Sequence, residues 1–342
     1  MSYKKTLIIG IGLIGGSFAK AIRNNKLSTE IIAFDLDSDA IEMAQSDKVI
    51  DAGFVDLRYL EDELNSFDLI VIATPLSSYE AIFAKINKFI SPKTVVIDLG
   101  SVKDLKIKNT PKNFIPCHPI AGLENNGFEY STTDLFQNKK FIICAQNSAA
   151  QEIAKLITAI GAKPEFMSAK EHDKIFALTS HLPQFLSFLT TELSPKNIKD
   201  EFLQKAFRLD NSNTEIWSDI FAANEENLEK FYLEFFGNLE KICAKNEKEI
   251  FQIMKDLTTN DKAPQNCEWN FIETNFTAIL FRLAVVASYL QIREIKKFQA
   301  HGGTGFKDFT SIISLLNFDK EKMTALIKTN QKQLQKLLKS IS

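Results

Sequence analysis

The chain has 342 residues, with 41 Lys and Arg against 43 Asp and Glu and a formal net charge of −2. So even a balance excludes a general attraction to nucleic acid or to an anionic membrane, and any basic pocket must be local. Ordinary domain sizes predict two domains at this length.

The first element is the stretch Leu7 to Ile22, LIIGIGLIGGSFAKAI, which reads as a buried strand, a glycine turn and the opening of a helix. Gly10, Gly12 and Gly15 have the G-x-G-x-x-G spacing of a dinucleotide-binding turn, with Leu13 and Ile14 inside it. The first glycine permits the bend, the second admits a pyrophosphate and the third lets helix and strand pack closely. A phosphate there would face the unpaired N–H groups of a helix N-terminus. The next apolar run, Ile31-Ile32-Ala33-Phe34, ends in Asp35, twenty residues after Gly15. A carboxylate at that point accepts from both ribose hydroxyls and repels a 2′-phosphate, so NAD is expected rather than NADP. Glycine turns also join strands to helices with no ligand, and Asp35 and Asp37 are also the kind of residues that simply close a strand.

A helix follows over Ser38 to Ser46, then a strand over Phe67 to Ala73 closed by Thr74-Pro75, a helix over about Ser77 to Phe89, and a strand over Thr94 to Asp98 that leads into Leu99-Gly100-Ser101-Val102-Lys103. Alternation at this spacing predicts a doubly wound parallel sheet, with ligands at the carboxyl ends of its strands, where Thr74, Pro75, Gly100 and Ser101 all fall. Phe114 to Pro119 reads as a further strand leading into a loop, and Lys140 to Ala145 as the strand that closes the sheet edge. From about Gln151 the apolar spacing turns helical, over Glu171 to Thr191, Ile216 to Glu240 and Phe271 to Lys296. The expectation is an α/β fold, with a Rossmann-type doubly wound sheet in residues 1–160 and an all-α domain in 161–342.

Cys117, Cys144, Cys243 and Cys267 are far apart and form no C-x-x-C pair, which argues against metal and disulfides and fits a reducing cytoplasm. The opening MSYKKTLIIG leaves no room for a cleavable signal peptide before the first strand. The most apolar long segment, Ala278 to Leu290, contains Arg282 and falls short of the roughly 20 residues a bilayer needs.

His118 lies between Pro116 and Pro119, just after a predicted strand on the ligand side of the sheet. A dehydrogenase acting on an alcohol needs a base for the hydroxyl proton, and neutral imidazole titrates near working pH. A histidine held between prolines also serves simply to hydrogen-bond a loop, and the residues alone leave both readings open.

Four stretches in series, Gly10-x-Gly12-x-x-Gly15-Gly16-Ser17, Asp98-x-Gly100-Ser101-Val102-Lys103, His118-Pro119-Ile120-Ala121-Gly122-Leu123-Glu124 and Ser180-His181-Leu182-Pro183, resemble the prephenate dehydrogenase family of tyrosine biosynthesis. The resemblance continues through Phe207-Arg208-Leu209 and Trp217 to Asn224 and covers roughly residues 5 to 245. It implies NAD-dependent oxidative decarboxylation of prephenate to 4-hydroxyphenylpyruvate. His118 matches the family's catalytic histidine and Ser101 the serine that helps place the hydroxyl and the nicotinamide. Arg208 matches the arginine that holds the side-chain carboxylate, and Glu124 an acidic residue beside the pocket. Ser180, His181 and Gln184 fall in the substrate-binding motif, where many prephenate-specific members have a second histidine in place of Gln184. That departure keeps arogenate open as the substrate.

A second departure lies upstream of Arg208, where the family's glycine-rich G-F-K-D-F run is missing; it appears instead at Gly305-Phe306-Lys307-Asp308-Phe309. Residues about 278 to 342 echo residues about 178 to 245, each with an apolar helix, a connector and a long helix starting near Asn224 or Asn330, which suggests a degenerate internal repeat. The resemblance implies a homodimer through the helical region, or a pseudo-dimer within one chain in which Asp308 reaches the Glu124 and Arg208 network without a second subunit. Phe231, Phe235, Phe236 and Phe251 read as core or interface packing. His172 with Asp173 is a candidate for a supporting role, His301 reads as structural, and His181 either lines the pocket or bonds a carbonyl. A non-catalytic NAD-binding regulator is the reading from another class, and the β-hydroxyacid dehydrogenases lack their lysine motif here.

Overall fold

Aliphatic runs flanked by turn residues build the first sheet in the computed structural model, which describes residues 2–123, 125–257, 269–317 and 320–341. Glu124, Cys267 and the Phe251 side chain lie outside the described residues. The sheet strands are β1 (Tyr3–Ile9), β2 (Ser28–Phe34), β3 (Ala52–Phe54), β4 (Leu69–Ile72), β5 (Val95–Asp98) and β6 (Phe114–Ile115), with helices α1 (Leu13–Asn24), α2 (Ser38–Ser46) and α3 (Tyr79–Ile86) in the crossovers. They pair in parallel in the order β3-β2-β1-β4-β5-β6. The order reverses between β1 and β4, and a doubly wound sheet takes its ligand in the crevice at such a switch point. Helices cover both faces, so every residue of β4 is buried, as an all-parallel sheet requires.

The glycine turn is held by close backbone approach. Gly10 adopts φ +91°, and a Cβ there would stand 2.7 Å from the Ala73 carbonyl oxygen. A Cβ on Gly15 would overlap the Gly10 carbonyl oxygen. Gly15→Ala is therefore expected to destabilise the protein by about 1–3 kcal/mol, the usual cost of overpacking, read as a lowered midpoint in urea.

Two expectations about the sheet are corrected. Residues 114–119 are two strands, and His118 sits within β7 (Cys117–Pro119) rather than in a loop. Pro116 between them has no N–H to donate, so the ladder to β5 stops at Ile115 and the chain changes sheets. β7 pairs antiparallel with β8 (Lys140–Ile143), which therefore does not close the first sheet, and β8 pairs in parallel with β9 (Lys163–Phe166). β9 follows α4 (Ser148–Ala159), so strand structure continues past residue 151, where the sequence pattern turns helical.

The chain divides into two units, Met1–Asp173 with Thr214–Ala223, and Lys174–Asn213 with Asn224–Ser342. The main segment of the first unit runs to Asp173 and so includes β9. Segment 214–223 joins the first unit through Asp219, whose Oδ2 accepts from Ser77 Oγ at 2.6 Å.

The remaining elements are helical. α5 (Ala169–Phe176) leads through a π-turn at Ala177–His181 into α6 (Leu182–Thr190). Pro183 cannot donate to the carbonyl of Thr179, and the turn before it widens accordingly. Then come α7 (Glu201–Ala206), a 3₁₀ turn at Arg208–Asn211, α8 (Thr214–Ala223) and α9 (Glu225–Cys243). α8 and α9 are separate helices broken at Asn224, not one continuous helix. α10 (Glu247–Asp256), α11 (Trp269–Thr274), α12 (Phe276–Leu290), α13 (Ile295–Phe298), α14 (Thr304–Ser311), a 3₁₀ turn at Ile312–Asn317 and α15 (Lys320–Ile341) complete the second unit. The two sets of helices differ in order, since α8 stands between the 3₁₀ turn at Arg208–Asn211 and α9 while α13 stands between α12 and α14, and the second long helix starts at Lys320, well before Asn330. Phe231 and Phe235 on α9 are fully buried. Among the described residues, no single helix is long and apolar enough to cross a membrane.

Candidate active site

At the switch point, α1 begins at Gly12 with no side-chain cap and no acidic residue in its first turn. Among the described residues, nothing lies within 4 Å of where a Gly12 Cβ would be, so the helix N-terminus opens onto clear space there. Leu13 is buried in the core and Ile14 packs against it, which leaves their backbone to face a ligand. Asp35 follows the end of β2, its Oδ2 accepting from Ile11 N–H at 2.6 Å and its Oδ1 from Asp37 N–H at 3.0 Å. Thr74 Oγ1 and Ser78 Oγ share a 2.7 Å hydrogen bond, and the Pro75 carbonyl accepts from Ser78 Oγ at 2.7 Å.

A buried charge cluster ties this end of the sheet to β7. Asp98 is fully buried at the end of β5 and accepts from Tyr79 Oη at 3.0 Å, Gly100 N–H at 3.1 Å and Cys117 N–H at 3.0 Å. Lys103 Nζ completes it, paired with Asp98 Oδ2 and donating to the Cys117 carbonyl at 2.7 Å. The pair therefore clamps the Gly100-Ser101 turn and the strand that carries His118; Ser101 itself is half-buried in the bend between them. Burial, reinforced by Asp98, pushes the Tyr79 phenol and the Cys117 thiol well above their ordinary values. Burial likewise raises the Cys144 thiol to about 12, so neither cysteine offers a thiolate.

His118 is half-buried on β7, and its Nδ1 lies 2.8 Å from His172 Nε2. The rings meet edge to face at 68°, with centroids 5.0 Å apart. His172 is fully buried on α5, and its Nδ1 lies 2.7 Å from Asp173 Oδ1. The Asp173 carboxylate also accepts from Lys103 N–H at 2.8 Å and Asp104 N–H at 2.7 Å. Residues 54 apart in sequence are thus joined in one hydrogen-bonded row.

In the second unit, Arg208 opens the 3₁₀ turn and Asp308 lies on α14. Nε and Nη2 of Arg208 both reach Asp308 Oδ2, at 2.9 and 2.8 Å. This contact joins residues 100 apart within one chain. Gln184 is buried on α6, donating from Nε2 to the Leu209 carbonyl at 2.7 Å and accepting from Ser212 Oγ at 3.1 Å. It braces the turn from which Arg208 projects. His181, also buried, meets Asn224 Nδ2 through Nδ1 at 3.1 Å, and Ser180 is half-buried in the π-turn.

Sequence reasoning missed the partner of Arg282. This guanidinium is 1 % exposed, pairs with Asp210 at 2.6 and 2.8 Å through Nη2, takes Ser187 Oγ at 2.9 Å through Nη1 and stacks 4.6 Å from the centre of the Phe207 ring. Burial lowers its pKa and Asp210 pushes back. The signal was present, since one arginine inside an otherwise apolar helix requires a buried anion.

The sequence pattern described as "Prephenate dehydrogenase, nucleotide-binding domain" matches residues 18–164, and that described as "Prephenate dehydrogenase, dimerization domain" matches residues 168–256. A cyclohexadienyl dehydrogenase of Zymomonas mobilis is 29% identical over 259 residues, covering 70% of this chain and 87% of the relative. A prephenate dehydrogenase of Lactococcus lactis is 27% identical, covering 74% of each. Among solved structures, that of prephenate dehydrogenase from A. aeolicus in complex with hydroxyphenyl propionate and NAD+ is similar at a TM-score of 0.65 and 28% identity, over 75% of this chain and 93% of that one.

Proposed function

The chain belongs to the prephenate dehydrogenase family, and from that premise we propose that it catalyses NAD-dependent oxidative decarboxylation of prephenate to 4-hydroxyphenylpyruvate. The observation that carries this reading is that patterns of this one family tile residues 18–164 and 168–256, with an open dinucleotide turn and a buttressed histidine in the same unit. The A. aeolicus relative adds support, since it holds NAD+ together with a phenol bearing a three-carbon acid.

NAD fits the residues present. Gly12 and the uncapped start of α1 would hold the pyrophosphate and Asp35 the adenosine ribose, and the cofactor, when bound, supplies the hydride acceptor. A carboxylate about 4 Å from a 2′-phosphate is repelled by ~1 kcal/mol per unit charge even at the dielectric of water. Asp35→Ser is therefore expected to move the kcat/KM ratio severalfold toward NADP; an unchanged ratio would remove Asp35 from the ribose site.

His118 accepts the proton of the ring hydroxyl as the alcohol becomes a carbonyl, and Ser101 helps hold that hydroxyl. The electron pair of the bond to the departing ring carboxylate enters the ring, and the proton held on His118 returns to the phenol oxygen, so no net proton is released. Aromatisation drives the loss of carbon dioxide, which leaves the chain's residues chiefly the task of orientation. Arg208 binds the side-chain carboxylate, because a planar guanidinium can grip it with two parallel bonds. Losing one charge-assisted bond costs about 1.5–3 kcal/mol, so Arg208→Lys is expected to raise KM for the acid roughly ten- to a hundredfold with KM for NAD unchanged.

The test is kcat/KM for prephenate and for arogenate, with NAD, on the purified chain. A higher value for prephenate supports the reading. A higher value for arogenate favours the second reading, an arogenate or cyclohexadienyl dehydrogenase, which is motivated by Gln184 standing where many prephenate-specific members have histidine and engaging Leu209 and Ser212 through its amide. Activity with neither acid refutes both.

A further inference from the structure

We propose that His172 and Asp173 are positioning residues that lock His118 in the tautomer with its proton on Nδ1 and its lone pair on Nε2, and that they take up part of the positive charge when Nε2 is protonated. The inference rests on the reading of His118 as the proton acceptor, but the state of its ring is a separate, measurable property.

Backbone N–H groups can only donate, and two of them, from Lys103 and Asp104, point at Asp173 Oδ1 and Oδ2. They favour its ionised, acceptor-only form. The 2.7 Å contact from Oδ1 to His172 Nδ1 is then a bond that His172 donates. A neutral imidazole carries one N–H, so His172 Nε2 must be an acceptor. The 2.8 Å contact from Nε2 to His118 Nδ1 is in turn donated by His118. Each assignment forces the next, and the last leaves the lone pair of His118 on Nε2. With a proton added at Nε2, the His118 cation still donates through Nδ1, and its charge is drawn along the row toward a carboxylate that is 2 % exposed. His172 itself is fully enclosed, so water does not compete for either nitrogen.

The row joins elements that the clamp around Asp98 already fixes. Asp173 is held by the backbone of Lys103 and Asp104, Lys103 Nζ is held by Asp98 and the Cys117 carbonyl, and His118 follows Cys117. Ring orientation and tautomer are therefore set by the same short stretch of chain. This is the function of a group that orients a base without touching substrate, as the buried aspartate does in a Ser-His-Asp triad.

The test begins with the substrate-free protein labelled with ¹⁵N at histidine, of which the chain has 4. Long-range proton–nitrogen spectra near neutral pH, assigned with His118→Asn and His172→Gln, should show His118 and His172 both protonated at Nδ1 and unprotonated at Nε2. A His118 ring protonated at Nε2 alone overturns the proposal, whatever the substrate proves to be. On the better of the two cyclohexadienyl acids, His172→Leu should lower kcat roughly ten- to a thousandfold, part of the 10²–10⁴ a positioned base contributes, with KM for NAD unchanged. His172→Gln, whose amide oxygen can accept from His118 Nδ1, should recover most of that loss. A leucine variant with the parent's kcat, or a glutamine variant no better than leucine, contradicts the proposal. Should the parent oxidise neither acid, the functional reading fails alone and the spectra still decide the tautomer.

Discussion

His118→Asn is expected to lower kcat by about 10²–10⁴, the contribution of a positioned general base, while NAD binds as before. Asparagine reproduces the side of the ring that faces His172, because its amide N–H₂ can donate to Nε2 across the present 2.8 Å contact. It removes only the far nitrogen, the one proposed to take the proton. The clamp of Asp98, Lys103 and the Cys117 backbone is untouched, so the strand and the turn that carries Ser101 keep their places. The measurement is single-turnover reduction of NAD together with fluorescence titration of NADH. Equal loss in kcat and kcat/KM with unchanged NADH affinity marks an interaction made in the transition state. A variant that reduces NAD at the parent's rate excludes His118 as the base.

Arg282→Met is expected to destabilise the protein by about 3–5 kcal/mol, because it leaves the Asp210 carboxylate buried and uncompensated. The Asp210 side chain is 5% exposed, and both of its oxygens now lie on Arg282 Nη2. Methionine retains the contact with the Phe207 ring but not the charge. Since replacement of a whole buried pair by apolar groups is often neutral, Arg282→Met with Asp210→Leu should regain most of the loss. Arg208 lies in the same 3₁₀ turn as Asp210, so the single variant should also raise KM for the acid more than KM for NAD. Urea unfolding with both variants measures this; a single variant as stable as the parent, or a double variant no better than the single, contradicts the pair's role.

What was legible in the chain follows from how local each signal is. Gly10, Gly12, Gly15 and Asp35 mark β1, α1 and β2 because the turn's steric demands fall within thirty residues of sequence. β9 is not legible, since its Lys163-Pro164-Glu165-Phe166 is only four residues long with a proline inside, which counts against a strand, and it depends on pairing with β8. β7 was read as a loop because the effect of Pro116 is to move the chain to another sheet, which no propensity records. His118 stands out by position and His172 with Asp173 as a supporting candidate, but the contact that joins the two rings spans 54 residues and is not legible locally. Arg282 was read only as a charge that spoils a membrane span, when its meaning lay in Asp210, 72 residues away. Asp308 was expected near Arg208 through the displaced Gly-Phe-Lys-Asp-Phe run, and the two side chains do meet.

The most direct measurement is the stoichiometry of the complete reaction. Purified protein, NAD and prephenate should yield one NADH and one carbon dioxide per molecule of acid consumed, with arogenate as the parallel substrate, and His118→Asn should slow the formation of both products by the same factor while still binding NADH. Reduction of NAD without carbon dioxide, or no reduction with either acid, would contradict the proposed chemistry at its root.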